Sequence, residues 1–394
     1  MYTTHTKSLL NDARAERDAL ISLRRHFHMH PEISGQERET QAFVCATLEA
    51  WGIAASPLGE TGVVATLKGA EPGPCMLLRA DMDALPIDET APVPFRSRVP
   101  GVMHACGHDT HMAMLLVAAK MLRERGLPRG SVRCLFQPAE EGGGGAQMMI
   151  DAGVLRAPVP DAALALHVWS LFATGEVAII DGPVMAAVDG FEIEITGRGT
   201  HGATPESGID PIAIAAQLVT AAQQIVARRI APHDAAVLTF GRIQGGSAFN
   251  IIPEQVRLLG TLRSFVPEVR AQLRDALADL VAHLPAAMGA TGRIAYFTEH
   301  AATVNDPRIA AVVRDLAASL PGVTAIQPRP LMAGEDFGLI LAQVPGAMIL
   351  VGCGGSTPAD AAPHHHPDFA VDEDCLPMGT ALLVGTAERF LATR

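Results

Sequence analysis

The sequence predicts an α/β protein in which a discontinuous domain with a mainly parallel sheet is interrupted by a smaller inserted α+β domain. Its 394 residues exceed what one simple hydrophobic core usually holds, so two domains are expected. Short apolar runs alternate with helical patterns in the first half of the chain and near its end, which is typical of a parallel sheet. From about Gly190, strands with one polar face appear instead. We therefore place the α/β domain at residues 1–187 and 300–394, and the insertion at residues 188–299.

The elements of the α/β domain follow from the spacing of apolar residues. Helical spacing predicts helices at KSLLNDARAERDALISLRRHF and ERETQAFVCATLEAWG. Four short apolar runs bounded by glycine, proline or charge predict buried strands at GVVATLKG, PCMLLRA, SVRCLFQ and AALALHVW. A further helix, HMAMLLVAAKMLRERG, should end at Gly126. After Asn305 the pattern returns with the helix DPRIAAVVRDLAASL, the strand AMILVG and a terminal helix from Asp374.

The inserted domain shows a different order of elements. FEIEITG alternates between apolar and charged residues, as a half-exposed strand does, and DPIAIAAQLVTAAQQIVARR is a long helical pattern. The strands AAVLTFGRI and EQVRLLGTLRS, the helix PEVRAQLRDALADLVAHL and the strand GRIAYFTE follow. This βαββαβ order predicts a ferredoxin-like unit.

Composition excludes several classes of protein. The net charge of −12, from 30 Lys and Arg against 42 Asp and Glu, argues against nucleic acid as a partner. No uninterrupted apolar run is long enough to cross a bilayer, so no membrane partner is expected. The N-terminal segment lacks the apolar core of a secretory signal, and the six cysteines are scattered without a CxxC pair. We therefore expect a reduced, cytoplasmic protein.

Side chains that can bind metals or transfer protons follow the predicted strands. The carboxyl ends of the strands in an open α/β sheet are where ligands gather, so we expect these side chains to lie close together. They are Asp81 and Asp83 after MLLRA, Glu140 and Glu141 after VRCLFQ, His167 in AALALH, Cys106 and His108 in the loop HACGHD, and His364, His365 and His366 after AMILVG.

The stretch HACGHDTH admits three interpretations: a metal site, a cysteine nucleophile with its base, or a polar turn. Cys106 and His108 flank Gly107, so both side chains can point to the same side. Thiolate, imidazole and carboxylate together suit a transition-metal dication. Of the pair Glu140–Glu141, one carboxylate can bind such an ion while the other takes a proton from water.

Two alternatives to a metal-dependent enzyme remain at this point. A cysteine hydrolase would use Cys106 as nucleophile and His108 as base, but it leaves Glu140, Glu141 and the downstream histidines unexplained. A non-catalytic metal-binding protein would need the same ligands without turnover.

The order of motifs resembles that of the M20 metallopeptidases. More narrowly, the chain is similar to the bacterial N-acyl-amino-acid amidohydrolases, the group of hippurate hydrolase and the plant auxin-conjugate hydrolases. The resemblance runs from about His28 to the C-terminus, and HACGHD and PAEE are its most specific motifs. The motifs that carry it are RADMDALPI, MHACGHDTH, FQPAEEGGGGA, ALHVW, GRGTHGATP, GGSAFNIIPE, GTLRSF, GEDF and HHPDF.

This resemblance implies a zinc-exopeptidase-like catalytic domain with two divalent metal ions per subunit. Mn²⁺ or Zn²⁺ is expected, with Ni²⁺ or Co²⁺ as alternatives. Among the three consecutive histidines, His365 is chosen because the family's ligand lies two residues before the proline, here Pro367. The implied ligands are Cys106, His108, Glu141, His167 and His365.

The resemblance also implies the remaining roles. Glu140 would be the general base, and Asp83 would orient the metal centre. The inserted domain would be a dimerisation lid, so a homodimer or a higher homo-oligomer is expected. His201, Asn250 and Arg263 match its substrate-contacting positions, with His201 completing the site of the neighbouring subunit. The implied reaction is hydrolysis of N-acyl amino acids, hippurate-like or N-acetyl, to a carboxylic acid and a free amino acid.

Overall fold

A computed structural model describes residues 2–142 and 144–392 of the chain. Its helices, in chain order, are α1 (Tyr2–Ala15), α2 (Arg17–Met29), α3 (Arg38–Ala50), α4 (His108–Arg125), α5 (Gly145–Asp151), α6 (Pro211–Arg229), α7 (Pro267–Ala287), α8 (Pro307–Ala317), α9 (Gly338–Leu341) and α10 (Leu376–Ala392). Its strands are β1 (Ala55–Leu58), β2 (Gly62–Lys68), β3 (Glu71–Asp81), β4 (Arg129–Gln137), β5 (Ala162–Trp169), β6 (Glu176–Ala178), β7 (Gly182–Met185), β8 (Ala187–Thr196), β9 (Thr200–His201), β10 (Ala236–Gly245), β11 (Ile251–Ile252), β12 (Gln255–Ser264), β13 (Thr291–His300), β14 (Thr303–Asn305), β15 (Thr324–Ile326) and β16 (Gly346–Gly352).

The chain divides into two compact units. The large unit comprises Met1–Val184, Val304–Arg329 and Asp336–Arg394. The small unit comprises Met185–Thr303 and Pro330–Glu335. Among the described helices, none has the length and apolar character of a transmembrane segment.

The large unit is built around an eight-stranded sheet with the order β1-β2-β4-β3-β5-β16-β6-β15. The four central strands, β4, β3, β5 and β16, are parallel, which confirms the predicted mainly parallel sheet and sets their carboxyl ends on one edge. Towards the sides the sheet is antiparallel at β1, β2 and β6. The link between β1 and β2 spans only residues 59–61, too short for the crossover that a parallel pair needs.

Helix α4 is the central helix of the large unit's core. Every residue from Met112 to Ala119 is fully buried, which explains why this stretch is apolar all round rather than on one face. The sequence places the start of the helix at His111, but it begins at His108. The reason is Gly107, whose left-handed backbone ends the preceding loop directly before His108.

The small unit has an antiparallel sheet with the order β10-β12-β8-β13. Its element order is the predicted βαββαβ, with the short strands β9 and β11 added. In β8, Phe191, Ile193 and Ile195 are buried in the core that also takes in side chains of α6 and α7. Helix α6 begins at an N-cap, Asp210, whose carboxylate accepts the backbone N–H of Ile212.

Candidate metal centre

Cys106 and His108 lie on either side of a left-handed glycine at the start of α4. Gly107 has a φ of 91°, and a Cβ atom there would lie 2.4 Å from Val168 Cγ2, so the position requires glycine. His108 Nδ1 donates a hydrogen bond to the backbone carbonyl of Asp83 at 2.8 Å. This bond fixes the tautomer of the ring and leaves Nε2 as the nitrogen that can accept or ligate.

The turn that follows β4 presents Glu140 and Glu141, and the Asp83 carboxylate holds this turn in place. Asp83 Oδ1 accepts the backbone N–H of Glu140 at 3.0 Å, and Oδ2 accepts that of Glu141 at 2.9 Å. Ser34 Oγ donates to Oδ2 at 2.6 Å. Ala139 has a left-handed φ of 54°, a conformation that persists only where surrounding contacts hold it. Asp83, which was predicted to orient the metal centre, therefore contacts this turn directly.

His167 lies near the carboxyl end of β5 with its ring towards Cys106. Nδ1 donates to the Val168 carbonyl at 2.7 Å, and Nε2 lies 3.5 Å from Cys106 Sγ. Burial lowers the pKa of His167 well below its usual value, and the neighbouring His111 and His364 lower it further. The ring is therefore a neutral imidazole with a lone pair on Nε2.

The structure distinguishes the three consecutive histidines by their contacts. His365 has a left-handed φ of 65°, and its backbone N–H donates to the Ala105 carbonyl at 2.8 Å. Its Nε2 lies 3.2 Å from Glu141 Oε1. His364 turns instead towards a backbone carbonyl, and His366 is exposed. Of the three, His365 is the one placed beside Glu141.

Two groups of candidate ligand atoms share the sulfur of Cys106. One consists of Cys106, His108 and His167, and the other of Cys106, Glu141 and His365; within each group the atoms lie within 4.8 Å of one another. His108 Nε2 is buried and has no hydrogen-bond partner among the residues that the structure describes. A buried nitrogen without a partner, next to a thiol and a carboxylate, fits a bound transition-metal ion.

The charges around the site also fit a cation. Burial raises the pKa of the Cys106 thiol well above its usual value, and the carboxylates of Glu141, Glu140 and Asp81 raise it further. Burial alone would lower the pKa of His108, but neighbouring carboxylates, Asp81 first among them, raise it to about 10. A divalent cation reverses both preferences, because it favours the thiolate and the neutral imidazole.

Comparison with known proteins identifies the family. Residues 77–389 match the family model for Peptidase family M20/M25/M40. The chain belongs to this family. The predicted M20 membership is thus confirmed, and with it the predicted class of enzyme, a hydrolase that acts on amide bonds.

Two relatives and one solved structure show the extent of the similarity. N-acetyl-L-cysteine deacetylase of Bacillus subtilis (strain 168) is 42% identical over 374 residues, which cover 94% of this chain and 88% of the relative. Thermostable carboxypeptidase 2 of Saccharolobus solfataricus is 38% identical over 379 residues, which cover 95% of each protein. The crystal structure of a dinuclear metal-binding peptidase of the M20 family from Bacillus subtilis matches with a TM-score of 0.84 at 34% identity, covering 97% of this chain and 100% of the other.

Asp81 and His111 support this M20 site. Asp81 was expected at the site as a residue that follows the predicted strand MLLRA, whereas the sequence patterns gave His111 no role. His111 Nδ1 donates to Asp81 Oδ1 at 2.6 Å, and its Nε2 accepts the backbone N–H of Val168 at 2.9 Å. Because both ring nitrogens are satisfied, His111 holds the end of β5 rather than offering a ligand atom. Asp81 Oδ2 in turn accepts from Arg79 at 2.6 Å. In the sequence, the position of His111 could have indicated its place at the site, because it lies three residues, about one helical turn, after the candidate ligand His108.

The other predicted site residues of the M20 chain lie in the small unit. His201 of β9 pairs with Ile251 of β11 and therefore lies next to Asn250; both His201 and Asn250 are exposed. Arg263 lies on β12, half-buried, and its guanidinium donates to the Leu262 carbonyl at 3.0 Å. The structure thus brings together His201, on β9, and Asn250, directly before β11, and it places Arg263 on the four-stranded sheet.

Proposed function

We propose that the protein is a metal-dependent amidohydrolase that cleaves the amide bond of N-acyl amino acids, hippurate-like or N-acetyl, to a carboxylic acid and a free amino acid. One observation carries the proposal: two groups of ligand atoms share Cys106, beside the adjacent carboxylates of Glu140 and Glu141. One relative is named a deacetylase of N-acetyl-L-cysteine and another a carboxypeptidase, and both names denote cleavage of an amide.

The proposed ligands would hold two divalent ions. Thiolate, imidazole and carboxylate are ligands of Zn²⁺ and of similar transition-metal ions, and Mn²⁺ is the alternative. Cys106 Sγ belongs to both groups of atoms, so the two groups meet at this residue. The name of the similar Bacillus structure, a dinuclear metal-binding peptidase, supports two ions rather than one. The proposed set is Cys106, His108, Glu141, His167 and His365.

Glu140 is the proposed general base. When bound, the ions would polarise the scissile carbonyl and lower the pKa of water. An oxygen of the Glu140 carboxylate lies within 4.8 Å of candidate ligand atoms of His108 and Glu141, and this proximity supports the role. In this role Glu140 accepts a proton from the attacking water and passes it to the leaving amine. Asp83 is a positioning residue, because it holds the backbone of both glutamates.

The surroundings of Cys106 argue against a cysteine hydrolase. A nucleophilic cysteine reacts as the thiolate, whereas burial and the neighbouring carboxylates raise the pKa of this thiol. His108, the base of that alternative, has no hydrogen bond to the sulfur: its Nδ1 is bonded to the Asp83 carbonyl, and its Nε2 has no partner among the described residues. His167 Nε2 does lie 3.5 Å from the sulfur, but burial holds the pKa of His167 well below its usual value. It is therefore a weak base for removing the thiol proton.

We assign substrate recognition to the small unit. The guanidinium of Arg263 and the amide of Asn250 are donors that suit the carboxylate of the amino-acid product. His201 is exposed next to Asn250. In a homodimer it would complete the site of the neighbouring subunit by donating to the oxyanion that forms during hydrolysis.

Turnover of a substrate panel tests the proposed function. The panel contains N-acetyl, N-benzoyl and indole-acyl amino acids, each with its methyl ester as a matched control that lacks the free carboxylate. We expect hydrolysis of the free acids over the esters, loss of turnover after chelation, and recovery when Mn²⁺ or Zn²⁺ is restored. Turnover that survives chelation would favour the cysteine hydrolase. A protein that binds metal without any turnover would be a binding protein.

A further inference from the structure

His364, next to the proposed ligand His365, shares a backbone acceptor with the proposed ligand His167. His364 Nε2 donates to the Val168 carbonyl at 2.9 Å, and His167 Nδ1 donates to the same oxygen at 2.7 Å. A carbonyl oxygen has two lone pairs and no proton, so it can accept from both rings. The shared acceptor therefore requires a proton on the facing nitrogen of each ring, which leaves His167 Nε2 with its lone pair towards Cys106.

Aromatic side chains hold the His364 ring in this orientation. The ring stacks on Trp169, with centroids 4.5 Å apart and an interplanar angle of 27°. Phe369 lies against it at 4.8 Å, and the His167 ring is 5.4 Å away. The ring is thus set by packing as well as by its hydrogen bond, and a test has to separate the two.

The same hydrogen bond bears on His365, the next residue along the chain. His365 has a left-handed φ of 65°, which costs free energy for a residue with a Cβ atom and persists only where contacts hold it. Two contacts do so. The His364 side chain is bound to the Val168 carbonyl, and the His365 backbone N–H is bound to the Ala105 carbonyl at 2.8 Å. The loop is therefore fastened on one side to the strand of His167 and on the other to the residue before Cys106.

We infer that His364 is a positioning residue of the metal centre, whose Nε2–H bond to the Val168 carbonyl orients the ligand nitrogen of His167 and fixes the backbone of His365. The inference rests on the proposed dinuclear site. Partners that orient metal ligands typically change metal affinity by about 10- to 100-fold when they are removed.

Two substitutions at His364 separate its hydrogen bond from its packing. His364→Phe keeps the aromatic ring and removes the donor, whereas His364→Gln keeps an N–H donor and removes the ring. His366→Ala is the matched control, because His366 belongs to the same run of histidines but is exposed. For each protein we would measure Zn²⁺ affinity by competition with a chromophoric chelator, the thiolate-to-cobalt absorption of the Co²⁺ form, and the unfolding midpoint of the metal-free form.

We expect His364→Phe to bind Zn²⁺ about tenfold more weakly or worse and to shift the cobalt absorption, with the metal-free unfolding midpoint unchanged. His364→Gln and His366→Ala should stay close to the wild type. Wild-type affinity in His364→Phe would overturn the inference and leave the dinuclear site standing. Equal losses in the Phe and Gln variants would also overturn it, since packing would then be what matters. A wild-type protein that binds no metal would overturn both the inference and the proposed function.

Discussion

Glu140 and Glu141 are neighbours in the sequence, yet their carboxylates have different surroundings. Glu141 Oε1 lies 3.2 Å from His365 Nε2, among the proposed ligands. The Glu140 carboxylate lies within 4.8 Å of candidate ligand atoms of His108 and Glu141, and we propose it as the general base rather than as a ligand. Glu140→Gln should therefore keep the bound metal and lose kcat by about 10²-fold or more, whereas Glu141→Gln should lose metal as well. Metal content by mass spectrometry, measured with kcat on the same samples, checks this. Near-normal turnover of Glu140→Gln would assign the proton transfer to another group.

Cys106 should be shielded from alkylation while metal is bound. A coordinated thiolate is protected, whereas the metal-free thiol is open to iodoacetamide. Because the pKa of the metal-free thiol is raised, little of it is thiolate near neutral pH. The labelling is therefore best done in alkaline buffer, where the thiolate fraction is larger. Peptide mass spectrometry should show strong labelling of Cys106 only after chelation. Cys45, a partly buried cysteine outside the site, is the control whose labelling should not change. Equal labelling of Cys106 with and without metal would contradict its proposed role.

Residue types and their positions after strands predicted which side chains come together, but not which hydrogen bonds hold them. Cys106, His108 and Glu141 were predicted because each follows a recognisable strand or loop motif. At residues 364–366, three consecutive histidines are identical in type, so residue type alone did not indicate which of them is the ligand. What separates them is a left-handed backbone at His365 and the bond from His364 to a carbonyl, and both depend on neighbours that are distant in sequence.

At the scale of elements, the turn after β4 depends on one side chain that follows β3. The Asp83 carboxylate accepts the backbone N–H of both Glu140 and Glu141. Asp83→Ala should free these two amides, speed their hydrogen exchange, and weaken metal binding by about 10- to 100-fold. Ser34→Ala is the matched control, since Ser34 bonds to the same carboxylate but not to the turn. Unchanged exchange and affinity in Asp83→Ala would show that the turn keeps its shape without this carboxylate.

The buried strands were predictable because both faces of β3, β4, β5 and β16 are covered, which makes their sequences almost continuously apolar. The start of α4 was not predictable from periodicity. It depends on the left-handed conformation of Gly107, at a position where the close approach of Val168 leaves no room for a Cβ atom. The antiparallel flanks of the sheet were also missed, because short links and edge strands carry little periodic signal.

In the assembled protein, we expect each active site to be completed by a residue from the neighbouring subunit. Mixing Glu140→Gln subunits with His201→Ala subunits gives the test. If His201 acts on the neighbouring subunit, a hybrid dimer contains one intact site, with Glu140 from one chain and His201 from the other. Activity should then be recovered on subunit exchange, although each parent is inactive. No recovery, with hybrids shown to form by native mass spectrometry, would mean that His201 acts within its own chain, and an active His201→Ala parent would mean that it has no role in turnover.

The assembly is the level at which the sequence alone says least. His201, Asn250 and their flanking residues form an exposed surface, and exposure by itself does not identify what a surface contacts. The candidate metal ligands of the large unit are easier to predict from sequence, because they follow strands whose positions the apolar pattern already predicts.

One titration tests whether the protein hydrolyses amides at a site of two metal ions. Metal-free protein is titrated with Zn²⁺ or Mn²⁺ while bound metal and the turnover of an N-acetyl amino acid are followed in the same sample. We expect no turnover without metal, and turnover that rises with added metal and saturates when two ions are bound per chain. Full turnover in the metal-free protein, or binding of metal without any effect on turnover, would contradict this expectation.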